Sequence, residues 1–172
     1  MRAAMEARKK GNVHMLRLDR GEPVVASLCA YVGKARIRGG SIVGLGAIEA
    51  SEIGYFDPAR RAYSRTLLPE PLELLSLVGT ISRLDGEPFV HVHVTLGAPD
   101  HSVVGGHLFE ARIAVTGEFV IHAAAIASSR VLDGHTGLKL LRFGDRAVRP
   151  NRRTGGKSPR PASRKTSARG GR

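Results

Sequence analysis

The run from Asp85 to Ala111, DGEPFVHVHVTLGAPDHSVVGGHLFEA, decides how this chain folds. Asp85-Gly86 is a two-residue hairpin signal, because both residues tolerate the positive φ that a tight turn requires. Phe89–Leu96 (FVHVHVTL) follows it, β-branched and alternating, and reads as the clearest strand in the sequence. His91 and His93 stand two apart on that strand, so both imidazoles leave the same face. Pro99-Asp100 then turns the chain into a second strand over Ser102–Phe109. That strand carries His107 immediately after Gly105-Gly106, where the backbone can bend or approach a neighbour closely.

Working outward, the neighbouring segments have the same short-strand character. Leu72–Ser82 (LELLSLVGTIS) alternates first at Leu72/Leu74 and then at Leu75/Leu77, which suggests a bulge, placed here at Gly79. Ser41–Ala50 and Ser51–Phe56 form a glycine-punctuated apolar stretch with a bend, and Asp57-Pro58 opens a turn before Tyr63–Leu68. Downstream, Ala111–Ala127 is long and apolar with an interruption at Gly117 and Glu118. Asp133-Gly134 turns into a closing strand, Leu138–Phe143. Before all of these, Val13–Leu18 is a first strand.

One segment has helical rather than strand periodicity. Val24, Val25, Leu28, Cys29 and Val32 fall on one helix face after Pro23, with Glu22 beside the positive end of the dipole. Gly39-Gly40 is the expected stop. Cys29 lies on the apolar face and reads as a small core residue. The expected fold class is α+β: one compact domain over residues 10–145, a mostly antiparallel curved sheet with one main helix. Residues 1–9 are expected to be a flexible N-terminus.

Composition narrows the function classes. The 172 residues contain 27 Lys+Arg against 15 Asp+Glu, a net charge of +12. A single cysteine excludes a disulfide framework and a Cys-x-x-Cys zinc site. Charge-free apolar stretches such as Gly39–Ile48 are far short of the ~20 residues a membrane-spanning helix needs. Residues 1–12 lack the hydrophobic run of a secretory signal. A soluble, cytoplasmic protein without membrane contact is expected. No phosphate loop, dinucleotide fingerprint or Gly-x-Ser-x-Gly elbow occurs.

The positive charge is concentrated at one end. Residues 149–172 hold nine cations, Arg149, Arg152, Arg153, Lys157, Arg160, Arg164, Lys165, Arg169 and Arg172, with no acid and no large apolar side chain. Such a segment cannot bury enough apolar surface to offset the entropy of ordering it, so a disordered basic tail is expected. Its functional reading is phosphate contact with DNA, which would make the protein nucleoid-associated; its plain reading is a solubilising tail. Pro159-Arg160-Pro161 and Arg169-Gly170-Gly171-Arg172 both fall short of the Arg-Gly-Arg-Pro core of an AT-hook.

His91, His93 and His107 admit two arrangements. If the hairpin brings His107 across from the pair, three imidazoles on one face can hold a divalent metal, zinc being the first choice, with a position left open. Otherwise they are hydrogen-bonded polar groups in a pocket or at an interface. His101 is a candidate fourth ligand, and His122, in an apolar strand, reads as a satisfied interior or interface residue.

The segments PLELLSLVGTIS (71–82), Asp85–Ala111 and IRGGSIVGLGAIEASEIGYFD (37–57) together resemble the PPC domain, the plants and prokaryotes conserved domain. That domain occurs as a stand-alone prokaryotic protein and in the plant AT-hook nuclear-localised proteins, and the resemblance spans about residues 10–143. It implies a homotrimer, DNA binding, and a three-histidine metal site at His91, His93 and His107. It also places Glu73 at a recurrent acidic position, either an acid/base group or an edge carboxylate. The plant proteins carry an AT-hook ahead of the domain, whereas the basic arm here follows it. Two functions are therefore expected: a trimeric DNA-binding protein with cationic arms, or a metal-dependent enzyme or small-molecule sensor.

Overall fold

A computed structural model describes residues 5–144. The elements run β1 (Glu6–Lys10), β2 (Val13–Asp19), α1 (Val24–Lys34), β3 (Gly40–Asp57), β4 (Ala62–Leu68), β5 (Leu72–Leu84), β6 (Glu87–Gly97), β7 (Val103–Ala123), β8 (Ser128–Leu132) and β9 (Lys139–Phe143). The expected α+β class holds: one helix against one strongly bent sheet. Every strand pair is antiparallel except a single parallel pairing of Arg83 in β5 with Ser129 in β8.

The sheet closes on itself. β3 pairs with both β5 and β7, and β6 pairs with both β5 and β7, so these four strands form a ring. Closure removes open edges from the middle of the sheet. The ring interior is filled by Ile42, Ile48, Leu74, Leu77, Ile81, Val92, Leu96, Ile113, Phe119 and Ile121, all buried. Helix α1 lies against β6 and β7 and buries Val24, Leu28 and Val32 completely. Burying side chains of this kind contributes roughly 1.5–3 kcal/mol each, which is what fixes the helix to the sheet.

Several local expectations are corrected. Residues 6–9 are not part of a flexible N-terminus: Glu6–Lys10 forms β1, which pairs with β2 across the turn at Gly11. Its sequence, EARKK, lacks an apolar face because the strand is an exposed edge, so patterning gave no signal. The bulge in β5 lies at Leu75, between the Leu74–Leu96 and Ser76–Thr95 pairs, and not at Gly79. Gly79 serves a different need, since a Cβ there would meet the His91 carbonyl oxygen at 2.3 Å. The two expected strands on either side of Glu110 are one 21-residue strand, β7, and residues 124–127 leave it before β8.

The helix ends differ from expectation at both termini. Glu22 turns away to accept from the Asp19 and Met5 amides. The first turn is capped by Glu110 of β7, whose two carboxylate oxygens accept from Val25 N at 2.8 Å and Ala26 N at 3.1 Å. At the other end α1 stops at Lys34, before the glycines, because Arg36 takes a φ of 54° and its amide bonds back to Gly33 O. Gly40 instead opens β3.

One rung of directly opposed residues crosses the outer face of the sheet. It runs Arg8, Met15, Val120, Val43, Val78, His93, His107, Gly54, Arg65 through β1, β2, β7, β3, β5, β6, β7, β3 and β4. Opposed residues share a face, so an apolar stripe leads straight to the histidines.

Candidate metal centre

The alternation of β6 creates the site. Val90, Val92, Val94 and Leu96 point into the core and are buried, which forces His91 and His93 outward together. On β7, His107 stands opposite His93 on one side and Gly54 on the other. Gly106 makes this possible: a Cβ there would lie 2.7 Å from the Gly54 carbonyl oxygen, too close for any other residue. The ring centroids are 5.1 Å apart for His91–His93, 5.0 Å for His91–His107 and 5.5 Å for His93–His107. Each ring offers one nitrogen, and these three atoms all lie within 4.8 Å of one another.

An aromatic wall holds His107 in place. Its ring packs on Phe109 at 4.8 Å and on Tyr63 at 5.2 Å, and Tyr63 in turn contacts Phe109 and Phe56. Gly54 clears room beneath, since a Cβ there would meet Phe109 at 2.7 Å. His107 and His91 are half-buried and His93 is exposed, so the group opens to solvent on the His93 side.

The electrostatics favour neutral rings. Desolvation pushes His91 down to about 4, helped by the charge of Arg130 and then by the other two imidazoles. Desolvation likewise pushes His107 down to about 4, with His93, Arg65 and Arg130 adding to it. Near neutral pH both present lone pairs rather than positive charge, the state a metal ligand needs. His107 Nδ1 is buried and has no hydrogen-bond partner. Such an atom is costly to leave unsatisfied, and a metal ion bound through Nδ1 would satisfy it. The donor set therefore fits a divalent ion of the zinc, copper or nickel type, for which imidazole is a suitable ligand.

The remaining sequence candidates are not brought to this group. Glu73 is exposed and stands opposite Gly97, four residues along β6 from His93, or about 13 Å of strand. His101 lies in the turn before β7 with a φ of 65°. His122 is exposed on β7, opposite Val13 and Ser41, and is not an interior residue. The most deeply placed histidine is His14, 2% exposed, with Nδ1 2.9 Å from the Tyr31 hydroxyl. The cations Arg149, Arg152, Arg153, Lys157, Arg160, Arg164, Lys165, Arg169 and Arg172 lie outside the described residues.

Four participants were not legible in the sequence: Tyr63, Phe109, Arg65 and Arg130. Arg65 sits on the same rung as His107 and lays its guanidinium 3.7 Å from the centre of Phe109. Arg130 comes from β8, which no periodic pattern announced. Only the β5–β8 contact carries it to the cluster.

A three-histidine face on a closed antiparallel sheet with one helix defines a class of small domains, and comparison with known proteins specifies it. Residues 5–125 match the Plants and Prokaryotes Conserved (PCC) domain, and the chain belongs to that family. A metal-containing protein of Archaeoglobus fulgidus is 38% identical, with a TM-score of 0.71 over 80% of this chain and 97% of its own. A plant- and prokaryote-conserved protein of Pyrococcus horikoshii is 31% identical, TM-score 0.71, over 83% and 96%. A candidate DNA-binding protein of Bacteroides thetaiotaomicron is 30% identical, TM-score 0.78, over 82% and 99%. Among curated proteins, none matches the chain significantly. Among the described residues, no helix is long and apolar enough to cross a membrane.

Proposed function

We propose that this chain is a DNA-binding protein of the PCC family whose folded domain carries a divalent-metal centre. The observation that carries the metal reading is the convergence of the His91, His93 and His107 nitrogens to within 4.8 Å. These residues would hold the ion, zinc by preference, and a bound ion would supply Lewis acidity and an open position for a ligand. The metal-containing relative from Archaeoglobus fulgidus supports the same reading. Elemental analysis of untagged protein, wild type and His93→Ala, tests it; a wild type that binds no zinc, nickel or manganese at micromolar concentration would contradict it.

DNA contact is assigned to the basic segment 149–172, acting in the cytoplasm on the nucleoid. It is supported by the concentration of nine cations without an acid there and by the DNA-binding name of the Bacteroides relative. Nothing in that segment offers a rigid element to read base edges, so the contact is to phosphate and has little sequence preference.

The assembly is a homotrimer, in keeping with the family resemblance of the sequence. Met15, Val43 and Val78 on the rung are 62%, 45% and 53% exposed, and with Leu45 and Leu75 they make an apolar outer face. Covering that face with further copies of the chain removes it from water and sets three basic segments on one particle. Light scattering that returned a concentration-independent monomer would refute the assembly.

A further inference from the structure

Two arginines, Arg130 and Arg65, flank His91, His93 and His107. Arg130 is held beside the group by neutral partners: its guanidinium carbon lies 5.3 Å from the centre of the Phe89 ring, and its hydrogen bonds go to neutral acceptors. Its Nε donates to Ser82 Oγ at 3.1 Å, Nη1 to Lys139 O at 3.1 Å and Nη2 to Thr80 Oγ1 at 3.2 Å. Thr80 is the cross-strand partner of His91, so the guanidinium lies alongside the first ligand. Three of the five guanidinium N–H groups are used, which leaves one donor on each Nη. Among the described residues no carboxylate forms an ion pair with Arg130. On the far side Arg65 sits on Phe109, its charge shared with Glu52 at 3.0 Å.

Three neutral imidazoles bring no negative charge to a metal. A divalent ion here would keep its full charge beside a guanidinium that has no carboxylate partner among the described residues, at a half-buried site where like charges repel more than in water. An anion touching both relieves the repulsion, and the planar fork of arginine matches a carboxylate or phosphate group.

We propose that the centre binds a small oxyanion, the carboxylate or phosphate group of a small molecule, with Arg130 as its second anchor beside the ion on His91, His93 and His107. The inference rests on the metal reading above and names the ligand class of that site. It is separate from the DNA contact, because the anchor lies on the folded sheet and not in segment 149–172.

The test uses full-length protein loaded with cobalt, whose visible absorption reports directly on its ligands. Inorganic phosphate and acetate are titrated in turn, with a short unphosphorylated DNA duplex as a third arm. A saturable spectral change with either small anion, and none with the duplex, is the expected result. Arg130→Gln should load at least as much cobalt yet bind the anion about tenfold more weakly, since a charge-assisted hydrogen bond is lost. Arg130→Lys, which keeps the charge without the fork, should fall between and guards against a folding defect in the first variant. Cobalt that loads but ignores both anions overturns the proposal and leaves the metal reading intact. Anion binding indifferent to Arg130→Gln, or a spectrum that responds only to the duplex, overturns it as well. Failure to take up cobalt would remove both readings together.

Discussion

His93 and His107 face each other across β6 and β7 with ring centroids 5.5 Å apart, although fourteen positions of chain separate them. That pairing links two local features, a His-x-His strand and a glycine-hinged hairpin, into one three-nitrogen group.

The first prediction follows from it. His93→Ala should sharply reduce bound metal, because two nitrogens hold an ion far less firmly than three. His122→Ala, exposed at the other end of β7, should leave metal content unchanged. Elemental analysis after mild dialysis distinguishes the two; loss in both variants, or in neither, would contradict the assignment.

Acid should destabilise the metal-free protein through the same residues. Desolvation and neighbouring positive charge push His91 and His107 down to about 4, while in the unfolded chain each titrates near about 6.5. Between those values the unfolded state binds more protons than the folded one, so stability rises with pH. The contribution is fully present above about 6.5 and is lost as pH falls toward 4. Thermal melts of metal-free protein at pH 7.5 and pH 4.5 should show a clear fall in Tm. The fall should be smaller in a His91→Gln/His107→Gln double variant, and an equal fall would refute the account.

Removing residues 149–172 should abolish most DNA affinity while leaving metal content unchanged. If all nine cations neutralised phosphates, log K would fall against log salt with a slope of about −8. Intact and shortened protein are compared by fluorescence titration across a salt series, and equal slopes would move the DNA contact to the folded surface.

The apolar stripe gives a prediction about assembly. Val43 is 45% exposed and lies between Val120 and Val78 on the rung, so Val43→Glu places a charge in the middle of the proposed contact. The variant should fold but scatter light as a smaller species than wild type. Unchanged mass would argue that the copies meet elsewhere.

Glu110 should matter to stability although it lies well away from helix α1 in sequence. Its carboxylate caps the first turn through Val25 N and Ala26 N, and Glu110→Ala should cost about 1 kcal/mol, at most about 2. Urea denaturation measures this as a lower midpoint at unchanged slope, and an unchanged midpoint would deny the cap any role.

The sequence by itself determined the elements whose signal is local. Alternation over Phe89–Leu96 put His91 and His93 on one face, Asp85-Gly86 set the hairpin, and the Val24–Val32 spacing gave the buried helix face. Side-chain period and turn chemistry act over a few residues, so a single chain displays them.

Tertiary structure decided what depends on distant segments meeting. β1 has no apolar pattern because it is an exposed edge, and only its pairing with β2 makes it a strand. Whether Glu22 or Glu110 capped the helix was a matter of which carboxylate the closed sheet delivered to Val25 and Ala26. Arg130, on a strand without periodicity, reaches His91 only because β8 docks against β5 and Thr80 and Ser82 receive its guanidinium. The three histidines were legible as candidates, but the charge that surrounds them was not. Electrostatic neighbours are fixed by distance in space, and closing the sheet sets those distances.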